Sequence, residues 1–434
     1  MKQSDKIRRY SEYMSRRQMM KYGAAGGLAA MLAGCTGDPA NPDGNGNGGN
    51  GGGNGNGNGN GNGDGNGDGD RPELSLAAPV IGFPDEEPIG QSYMDEYDVE
   101  LSHRNISAQP TELIQLFVAG DGQGEFDGVW ANGGGMEDLM YGEDIIVPID
   151  SDEIDNWDNA REEYTEGGVY RDTLESDGEL VGSPSSQNCD SVAHNLDEVE
   201  DVDSWGVVYD EEWEGRTAVL DDYANTPHHT AMYLDQNNMA DIEGYTSDPT
   251  PYSDLRPEEL EAVIDFLIDK KEAGQFQTIW SSFGNIVEQL VSGEIVATYA
   301  YEPSVIQARN QGGNIGYPPL REGNWEWNDH WFMTQGATDR GRQEQFYQLC
   351  EWALTPEVGA RLHDTRGYES GCDRDTVVEY MEDNWDEERV QDNLDSMEAR
   401  QERYDANGDV MAWNNPNPTE LDLYLDEWNR FLSA

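Results

Sequence analysis

A run of glycine, asparagine and aspartate from Thr36 to Asp70 separates a short N-terminal segment from the rest of the chain. Its residues offer almost no apolar surface to bury, so they cannot offset the chain entropy that folding removes. We expect residues 36–70 to form a disordered tether with an r.m.s. reach of about 30 Å. The globular part must then be built from residues 71–434 alone.

One stretch of the tether, DGNGDG at Asp64 to Gly69, matches the start of a calcium-binding loop. The twelfth position of that loop falls on Ser75, where such loops carry a bidentate Glu, and no helical pattern flanks it. We therefore expect no metal at this motif.

The first 35 residues have the layout of an export signal rather than of a folded element. The pair Arg16-Arg17 precedes a glycine-rich apolar run, Tyr22 to Gly34, which is too short to span a bilayer. The paired arginines resemble a twin-arginine signal, and Leu32 to Cys35 resembles a lipobox, in which the cysteine becomes lipidated. We expect residues 1–35 to direct export and Cys35 to anchor an extracellular protein to the outer face of the cytoplasmic membrane.

The chain carries 88 acidic against 26 basic side chains, a formal net charge of −62. Repulsion of this size opposes a compact state unless counter-ions screen it closely, as in molar salt with its Debye length of about 3 Å. The acids are spread along the chain rather than gathered in blocks, which favours a surface adapted to high salt over a docking site for basic partners. With no basic stripe to neutralise phosphates, we expect no nucleic-acid partner.

Short apolar runs alternate with amphipathic helical stripes along residues 71–434, a pattern typical of α/β proteins. A chain of this length exceeds what one hydrophobic core usually serves, so two lobes are predicted. Apolar residues recur most clearly at helical spacing in Leu260 to Ile268, Phe346 to Leu354 and Leu421 to Leu432. The apolar runs that predict strands include LAAPVIGF, FDGVWA, TAVL and EIVATYAY.

The sequence contains no catalytic motif of the G-x-S-x-G, H-E-x-x-H or P-loop type. GDGQGEFDG, Gly120 to Gly128, has the wrong spacing for a dinucleotide-binding turn. His228 and His229 lie in TPHHT without a cysteine or third histidine nearby, so we interpret them as residues of a solvated loop rather than a metal site. We therefore expect no enzyme, no metal and no cofactor.

The stretch WEWNDHWF, Trp325 to Phe332, surrounds the acid Asp329 with aromatic rings. Its alternation predicts a β-strand, and a period of two places Asp329 on the same side as Trp325 and Trp327. Two interpretations remain open. Either the rings are half-buried packing residues and the acid is solvated, or the acid and Trp327 form part of a binding surface. Trp325 and Phe332 are assigned to packing in both.

Six segments in a fixed order resemble the extracytoplasmic solute-binding proteins of ABC importers, in particular the spermidine/putrescine-binding branch. The resemblance covers most of residues 74–434 and rests on the order of the segments more than on any one of them. They are FDGVWANGGGMEDLMYGEDIIVPID (Phe126 to Asp150), GSPSSQNCDSVAHN (Gly182 to Asn195), SWGVVYDEEWEGRTAVLDDYANT (Ser204 to Thr226), EQLVSGEIVATYAYEPSVIQAR (Glu288 to Arg309), YPPLREGNWEWNDHWFM (Tyr317 to Met333) and LTPEVGARL (Leu354 to Leu362).

The resemblance implies a two-lobe periplasmic-binding-protein-like α/β fold of type II, with ligand held in the cleft and released by hinge opening. The lobes are joined by two crossing strands, with residues 71–185 and 328–366 in lobe 1 and residues 186–327 and 367–434 in lobe 2. It also implies a monomer that delivers a small solute, such as a polyamine, to the permease subunits of an ABC importer.

Carried over position by position, the resemblance implies a ligand site of acids, rings and amides: Asp329, Asp222, Trp327, Tyr301, Asn414 and Asn132. The acids correspond to residues that pair with ligand amines, and the two rings to stacking residues. The sequence also departs from that pattern. Gly133 to Gly135 replace residues that are usually aromatic, Gln187 replaces a tryptophan, and Asn225 stands where polyamine binders usually carry Glu. One end of a polyamine pocket is therefore expected to be missing.

The identity of the ligand stays open at this stage. Thiamine, another organic cation, an anion or a metal chelate are alternatives within the same fold, and an anchored surface enzyme or adhesin is the alternative from another class. The sequence decides neither which permease is served nor whether Asn105 is glycosylated.

Three cysteines remain once Cys35 is lipidated, so at most one disulfide can form. In the resemblance, Cys189 and Cys372 both fall near the cleft. An exported location permits a bond between them, but the required Cα separation cannot be read from sequence. Three free thiols are the other interpretation.

Overall fold

A mixed sheet with two long strands at its centre organises the molecule. The computed structural model describes residues 71–85, 88–106, 110–120, 122–245, 251–407 and 412–434, and Pro72–Ala434 form one compact unit. The export signal with Cys35, the tether at residues 36–70 and the calcium-like motif at residues 64–69 lie outside the described residues. No helix among those described combines the length and apolar character needed to cross a membrane.

The strands differ greatly in length. In chain order those of the described residues are β1 (Glu73–Ala78), β2 (Glu100–Asn105), β3 (Gly128–Asn132), β4 (Glu175–Ser176), β5 (Glu179–Leu180), β6 (Gly182–Asn195), β7 (Thr217–Leu220), β8 (Phe276–Trp280), β9 (Ala297–Ala300), β10 (Ile315–Gly316), β11 (Trp325–Met333), β12 (Glu369–Ser370) and β13 (Ala412–Trp413). The two longest, β6 and β11, are buried over almost their whole length.

The main sheet has the order β2-β1-β3-β11-β6-β9-β7-β8. β1 is parallel to β2 and β3, whereas β11 is antiparallel to both β3 and β6. The first part of β6 pairs with β11, with Ser186 opposite Asp329, and its last part pairs with β9, with Ser191 opposite Ala300. β6 therefore carries the chain from one part of the sheet to the other. The division into two lobes at the bounds given above stays a prediction.

Helices fill most of the connections between strands. In chain order those of the described residues are α1 (Gln91–Tyr97), α2 (Pro110–Leu113), α3 (Gly122–Glu125), α4 (Met136–Gly142), α5 (Asn225–Gln236), α6 (Pro257–Glu272), α7 (Phe283–Ser292), α8 (Glu302–Asn310), α9 (Gln335–Arg340), α10 (Gln343–Ala353), α11 (Pro356–Arg366), α12 (Arg374–Asn384), α13 (Glu387–Asn407) and α14 (Leu421–Ser433). A π-helical segment, Ile114–Val118, continues α2.

The three helices with the clearest apolar spacing are confirmed as α6, α10 and α14. In α6, Pro257 suits the first turn because its φ is already helical, and the Glu259 carboxylate accepts the backbone N–H of Arg256 at 2.8 Å. The helix is followed by Gly274, whose positive φ of 84° ends the run. The apolar face of α6 is buried, including Leu260, Val263, Ile264 and Leu267.

Several of the strand predictions are confirmed. TAVL is β7, and the segment GSPSSQNCDSVAHN is β6 with identical bounds. LAAPVIGF is only partly strand, since β1 ends at Ala78 and Pro79 leads into a single 3₁₀ turn, Val80–Gly82. Proline cannot donate to a strand ladder, so the end of β1 has a direct physical cause.

The interpretation of His228 and His229 as loop residues is wrong. Both are buried inside α5, with Pro227 in its first turn. His228 stacks on Trp325 with ring centroids 5.2 Å apart. Proline is favoured in the first turn of a helix, so the TP pair marks a helix start here rather than a turn.

The disulfide considered between Cys189 and Cys372 is not formed. These two residues and Cys350 are free and buried, and burial raises the thiol pKa of Cys350 and Cys372 to about 12. Thiols in such surroundings are protonated and unreactive at neutral pH.

Candidate ligand-binding site

Asp329 lies where β11 passes between β3 and β6. It is opposite Asn132, the last residue of β3, and opposite Ser186 of β6. Only 5% of Asp329 is exposed, so the interpretation of this residue as a solvated acid is wrong. Burial raises its pKa well above the usual value; a hydrogen bond from Asn132 lowers it, and the charge of Asp190 raises it further.

The rings around Asp329 are also more deeply buried than a half-buried strand would allow. Every residue of β11 is buried, on both faces of the sheet, and Trp325 and Phe332 are fully enclosed as packing residues. A strand with both faces covered lies inside the protein, where carboxylates need specific partners.

A second carboxylate, Asp190 on β6, is held by four neutral donors. Trp327 Nε1 and the Tyr299 hydroxyl donate to Oδ2 at 2.6 and 2.9 Å. The Tyr317 hydroxyl and Asn188 Nδ2 donate to Oδ1 at 3.0 and 2.9 Å. Burial raises the pKa of Asp190 to about 6 even though three of these donors lower it. Trp327 is therefore fixed in place by its indole N–H.

Tyr301 lies within electrostatic range of three acids. It directly follows β9, remains partly exposed, and its ring is edge-on to Tyr299 with centroids 5.5 Å apart. Burial raises the pKa of the Tyr301 hydroxyl, and the charges of Asp222, Asp190 and Asp329 raise it further.

Asp222 and Asn225 lie together at the start of α5. Asp222 Oδ1 accepts the backbone N–H groups of Ala224 and Asn225 at 2.7 and 2.9 Å, which ties this carboxylate to the helix start. Burial nevertheless raises its pKa. Asn225, found where Glu was expected, is the first residue of α5 and is buried.

Asn414 lies beside β11. Its backbone N–H donates to the Glu326 carbonyl at 2.9 Å, directly after β13 pairs with the first two residues of β11. The structure places Asn132, Trp327 and Asp329 on the adjacent strands β3 and β11 and Asn414 beside them, whereas Tyr301 follows β9 and Asp222 follows β7, further along the sheet. Their roles in binding stay predictions.

Several polar atoms near these acids are buried without a hydrogen-bond partner in the part of the chain that the structure describes. They are the Tyr368 hydroxyl, Ser186 Oγ and the Oδ1 atoms of Asn132, Asn188, Asn225 and Asn414. Leaving a buried polar group unpaired costs about 1–3 kcal/mol. A ligand with several hydrogen-bonding groups would supply the missing partners.

Residues 90–372, more than half of the chain, match the model of the bacterial extracellular solute-binding protein family. The chain belongs to this family. Its members bind solutes rather than catalyse reactions on them, which agrees with the expectation of no catalytic site. No curated protein sequence matches this solute-binding protein.

Solved structures with the same fold include several ABC transporter proteins. A Listeria monocytogenes protein described as a spermidine/putrescine ABC transporter has a TM-score of 0.65 at 13% identity, covering 83% of this chain and 98% of its own. PotD from Streptococcus pneumoniae has a TM-score of 0.59 at 14% identity, covering 83% and 99%. AgtB from A. tumefaciens R10, solved with agropinic acid, has a TM-score of 0.58 at 16% identity, covering 84% and 99%. These structures confirm the predicted periplasmic-binding-protein-like fold.

The glycines at residues 133–135 of this solute-binding protein have a steric cause. A Cβ on Gly133 would come within 2.8 Å of Asn328 Oδ1, His330 Nε2 and Thr173 Cβ. Its backbone N–H also donates to the Asn328 carbonyl at 3.0 Å. The space that an aromatic residue would need in this loop is filled by β11 and by the segment before β4.

Sequence reasoning identified Trp327 but neither Asp190 nor its other three donors, Tyr299, Tyr317 and Asn188. Asp190 was inside the segment matched to the crossing strand but was not singled out. Its signal was an acid placed among apolar and small residues of a strand predicted to be central. Tyr317 begins one of the matched segments and Tyr368 lies outside them, and nothing in their local sequence sets them apart from packing residues.

Proposed function

We propose that this protein is the substrate-binding lipoprotein of an ABC importer and that it captures an organic cation, such as a polyamine. The observation that supports this most is the burial of three carboxylates, Asp329, Asp190 and Asp222, of which Asp190 accepts the indole N–H of Trp327 at 2.6 Å, two residues before Asp329. Burial raises the pKa of each acid. A bound cation would favour the charged forms that burial disfavours.

The partners of these acids favour a cation over an anion. Asp190 takes its hydrogen bonds from indole, phenol and amide groups, Asp329 from an amide, and Asp222 from backbone N–H groups. All of these donors are neutral, so none of them supplies a positive charge to offset an ionised carboxylate. An anionic ligand would add a like charge in a region of low dielectric, where repulsion is strong.

The expected affinity is consistent with capture from dilute solution. Two charge-assisted hydrogen bonds contribute about 1.5–3 kcal/mol each, and a cation over one aromatic face adds about 1–2 kcal/mol. Together they give about 4–8 kcal/mol, and the upper end of that range matches the roughly 8 kcal/mol of a micromolar complex. Asp329 and the second carboxylate oxygen of Asp222, to which neither of the two backbone N–H groups donates, would supply the two bonds, and the partly exposed ring of Tyr301 would supply the face.

The N-terminal segment fits the same role. We propose that residues 1–35 export the protein by the twin-arginine route and that Cys35 carries the lipid. The tether at residues 36–70 would then let the binding domain reach permease subunits over a range of about 30 Å. The acidic surface would keep the domain folded and soluble in molar salt.

A ligand screen tests the proposal. Thermal unfolding is followed in molar KCl with putrescine, spermidine, thiamine, sulfate and citrate, each over a range of concentrations. A ligand that binds the folded form adds RT ln(1 + [L]/Kd), about 2.7 kcal/mol at 100 times Kd. We expect amines to raise the midpoint and anions to leave it unchanged. Stabilisation by the anions alone would reject a cation site.

Gene order tests the importer role separately. The gene of an importer component is expected beside genes for two polytopic membrane subunits and an ATPase. A surface enzyme or adhesin would have no reason for such neighbours, so their absence would favour that other class.

A further inference from the structure

Two buried arginines lie behind the acids of the ligand site. Arg400 is 0% exposed and Arg403 1% exposed, although the chain has only 26 basic side chains to set against 88 acids. Both lie on α13, one turn apart. A buried charge persists only when it is paired and fully hydrogen-bonded, so the contacts of these two side chains indicate what they do.

Arg403 contacts three separate elements. Its Nε donates to the Cys189 carbonyl on β6 at 2.8 Å, and its Nη2 donates to the Glu302 carboxylate at the start of α8 at 2.5 Å. Its guanidinium carbon also lies 4.6 Å from the ring centroid of Tyr317. A planar guanidinium can make these contacts at once, whereas an ammonium group cannot.

Each contact of Arg403 is one step from a residue of the site. Cys189 directly precedes Asp190, and Glu302 directly follows Tyr301. The Tyr317 hydroxyl lies 3.0 Å from Asp190 Oδ1 and 2.7 Å from the Ala300 carbonyl and shares its one proton between these two acceptors. One side chain therefore supports the backbone beside the acid, the backbone beside the ring, and a donor to the acid.

Arg400 extends this support to a third strand. It lies 3.5 Å from Glu302 and donates to Glu369 at 2.8 Å. Glu369 directly follows Tyr368, whose ring is edge-on to Trp327 with centroids 4.8 Å apart. The other oxygen of Glu369 accepts from Arg161 at 2.6 Å.

We propose that Arg403, supported by Arg400, is a positioning residue of the ligand site and orients Asp190 through contacts made with the protein alone. The inference rests on the proposed function for what the site binds, but not for the geometry that it predicts. Loss of Arg403 would free Tyr317 and the backbone at Cys189. It would also leave the Glu302 charge, which already raises the pKa of Asp190, without its closest partner.

The test uses two changes at Arg403 in the full chain. Arg403→Lys keeps the charge and can still pair with Glu302, but it loses the fork that reaches Cys189. The double variant Arg403→Met with Glu302→Gln removes both charges of the pair. It should therefore fold even if Arg403→Met alone, which leaves Glu302 buried without Arg403, does not. Arg389→Lys is the matched control, because Arg389 is on the same helix and pairs with Asp364 at 2.7 Å but is 43% exposed.

Two measurements are made on each protein in molar KCl. Crystal structures without added ligand show whether Asp190 keeps its bonds from Tyr317 and Trp327, and calorimetric titration with spermidine gives Kd. We expect both Arg403 variants to lose at least the Tyr317 bond and to bind spermidine at least tenfold more weakly, with Arg389→Lys unchanged. A purely structural role would lower the unfolding midpoint and leave Kd of the folded protein as it was.

The outcomes separate this proposal from the proposed function. If Asp190 keeps all four hydrogen bonds in the crystal structures of both Arg403 variants, the positioning role is overturned. This holds regardless of which ligand the site binds. If wild-type protein binds no spermidine, the polyamine assignment fails, and the crystal structures alone decide whether Arg403 orients Asp190.

Discussion

Replacing Asp329 with Asn removes one charge from the centre of the site and changes almost nothing else. The side chains are nearly isosteric, and Asn132 can still hydrogen-bond the new amide after turning its own. What is lost is the charge-assisted bond to a ligand amine, about 1.5–3 kcal/mol, which corresponds to roughly a 10- to 100-fold rise in Kd. Because Asp329 is 5% exposed, water and salt compensate little of this loss.

The same change should stabilise the protein without ligand. Burial raises the pKa of Asp329 above its unfolded value, so the folded form binds this proton more tightly than the unfolded chain does. Stability then falls as the pH rises from the unfolded pKa to the folded pKa. A neutral amide does not titrate, so the free energy of unfolding of Asp329→Asn does not fall with pH in this way. Asp329→Asn should therefore have the higher unfolding midpoint at neutral pH.

Calorimetric titration and thermal unfolding in molar KCl measure both effects. The amine that gives the largest shift in the ligand screen is titrated into wild type, Asp329→Asn and the control Asp269→Asn, whose acid is exposed on α6. Weaker binding together with higher stability, confined to Asp329→Asn, is the expected result. Equal Kd values in all three proteins, or a ligand that proves to be an anion, would refute the reasoning.

Four further outcomes are expected. Since burial raises the pKa of Asp190 to about 6, a cation should bind more tightly as the pH rises from about 5 to about 7, and Asp190→Asn should lose most of that slope in calorimetry. Gly133→Ala should destabilise the protein by about 1–3 kcal/mol in chemical denaturation, because the new Cβ meets three atoms at 2.8 Å, whereas Gly284→Ala, with nothing within 4 Å, should not. Dialysis to about 0.05 M salt should unfold the protein reversibly, as circular dichroism will show, since the Debye length then exceeds the spacing of surface acids. Cys35→Ser should move the protein out of the membrane fraction without changing its circular dichroism; full retention in membranes would contradict lipidation.

The helices and strands that could be predicted are those whose secondary structure is determined by the pattern of their own residues. The apolar spacing from Leu260 to Leu267 recurs every three or four residues, and only a helix buries such a stripe on one side. β6 was predicted with its correct bounds because the order of neighbouring segments placed it. The loop reading of His228 failed because burial of α5 depends on contacts with Trp325 and Tyr424, which lie far away in sequence.

The site could be predicted only in part, for a related reason. Asp329 was identified because aromatic residues surround it within eight positions of the sequence. Asp190 is surrounded by rings just as closely, but they come from Tyr299, Tyr317 and Trp327, more than a hundred residues further along the chain. Local pattern cannot report partners that only the sheet brings together, so the acid with the most complete set of donors was the one overlooked.

In the molar salt proposed for this protein, screening would decide which acids can recognise a ligand. With a Debye length of about 3 Å, exposed carboxylates attract any cation only weakly, and potassium ions compete for each of them. The surface acids can therefore stabilise the protein in brine but cannot select an amine. Asp329, Asp190 and Asp222 are each at most 5% exposed, where screening by salt is slight and the dielectric is low. Selection of an amine must then come from buried acids such as these three. Burial of these acids destabilises the unliganded protein, but the proposed function requires it.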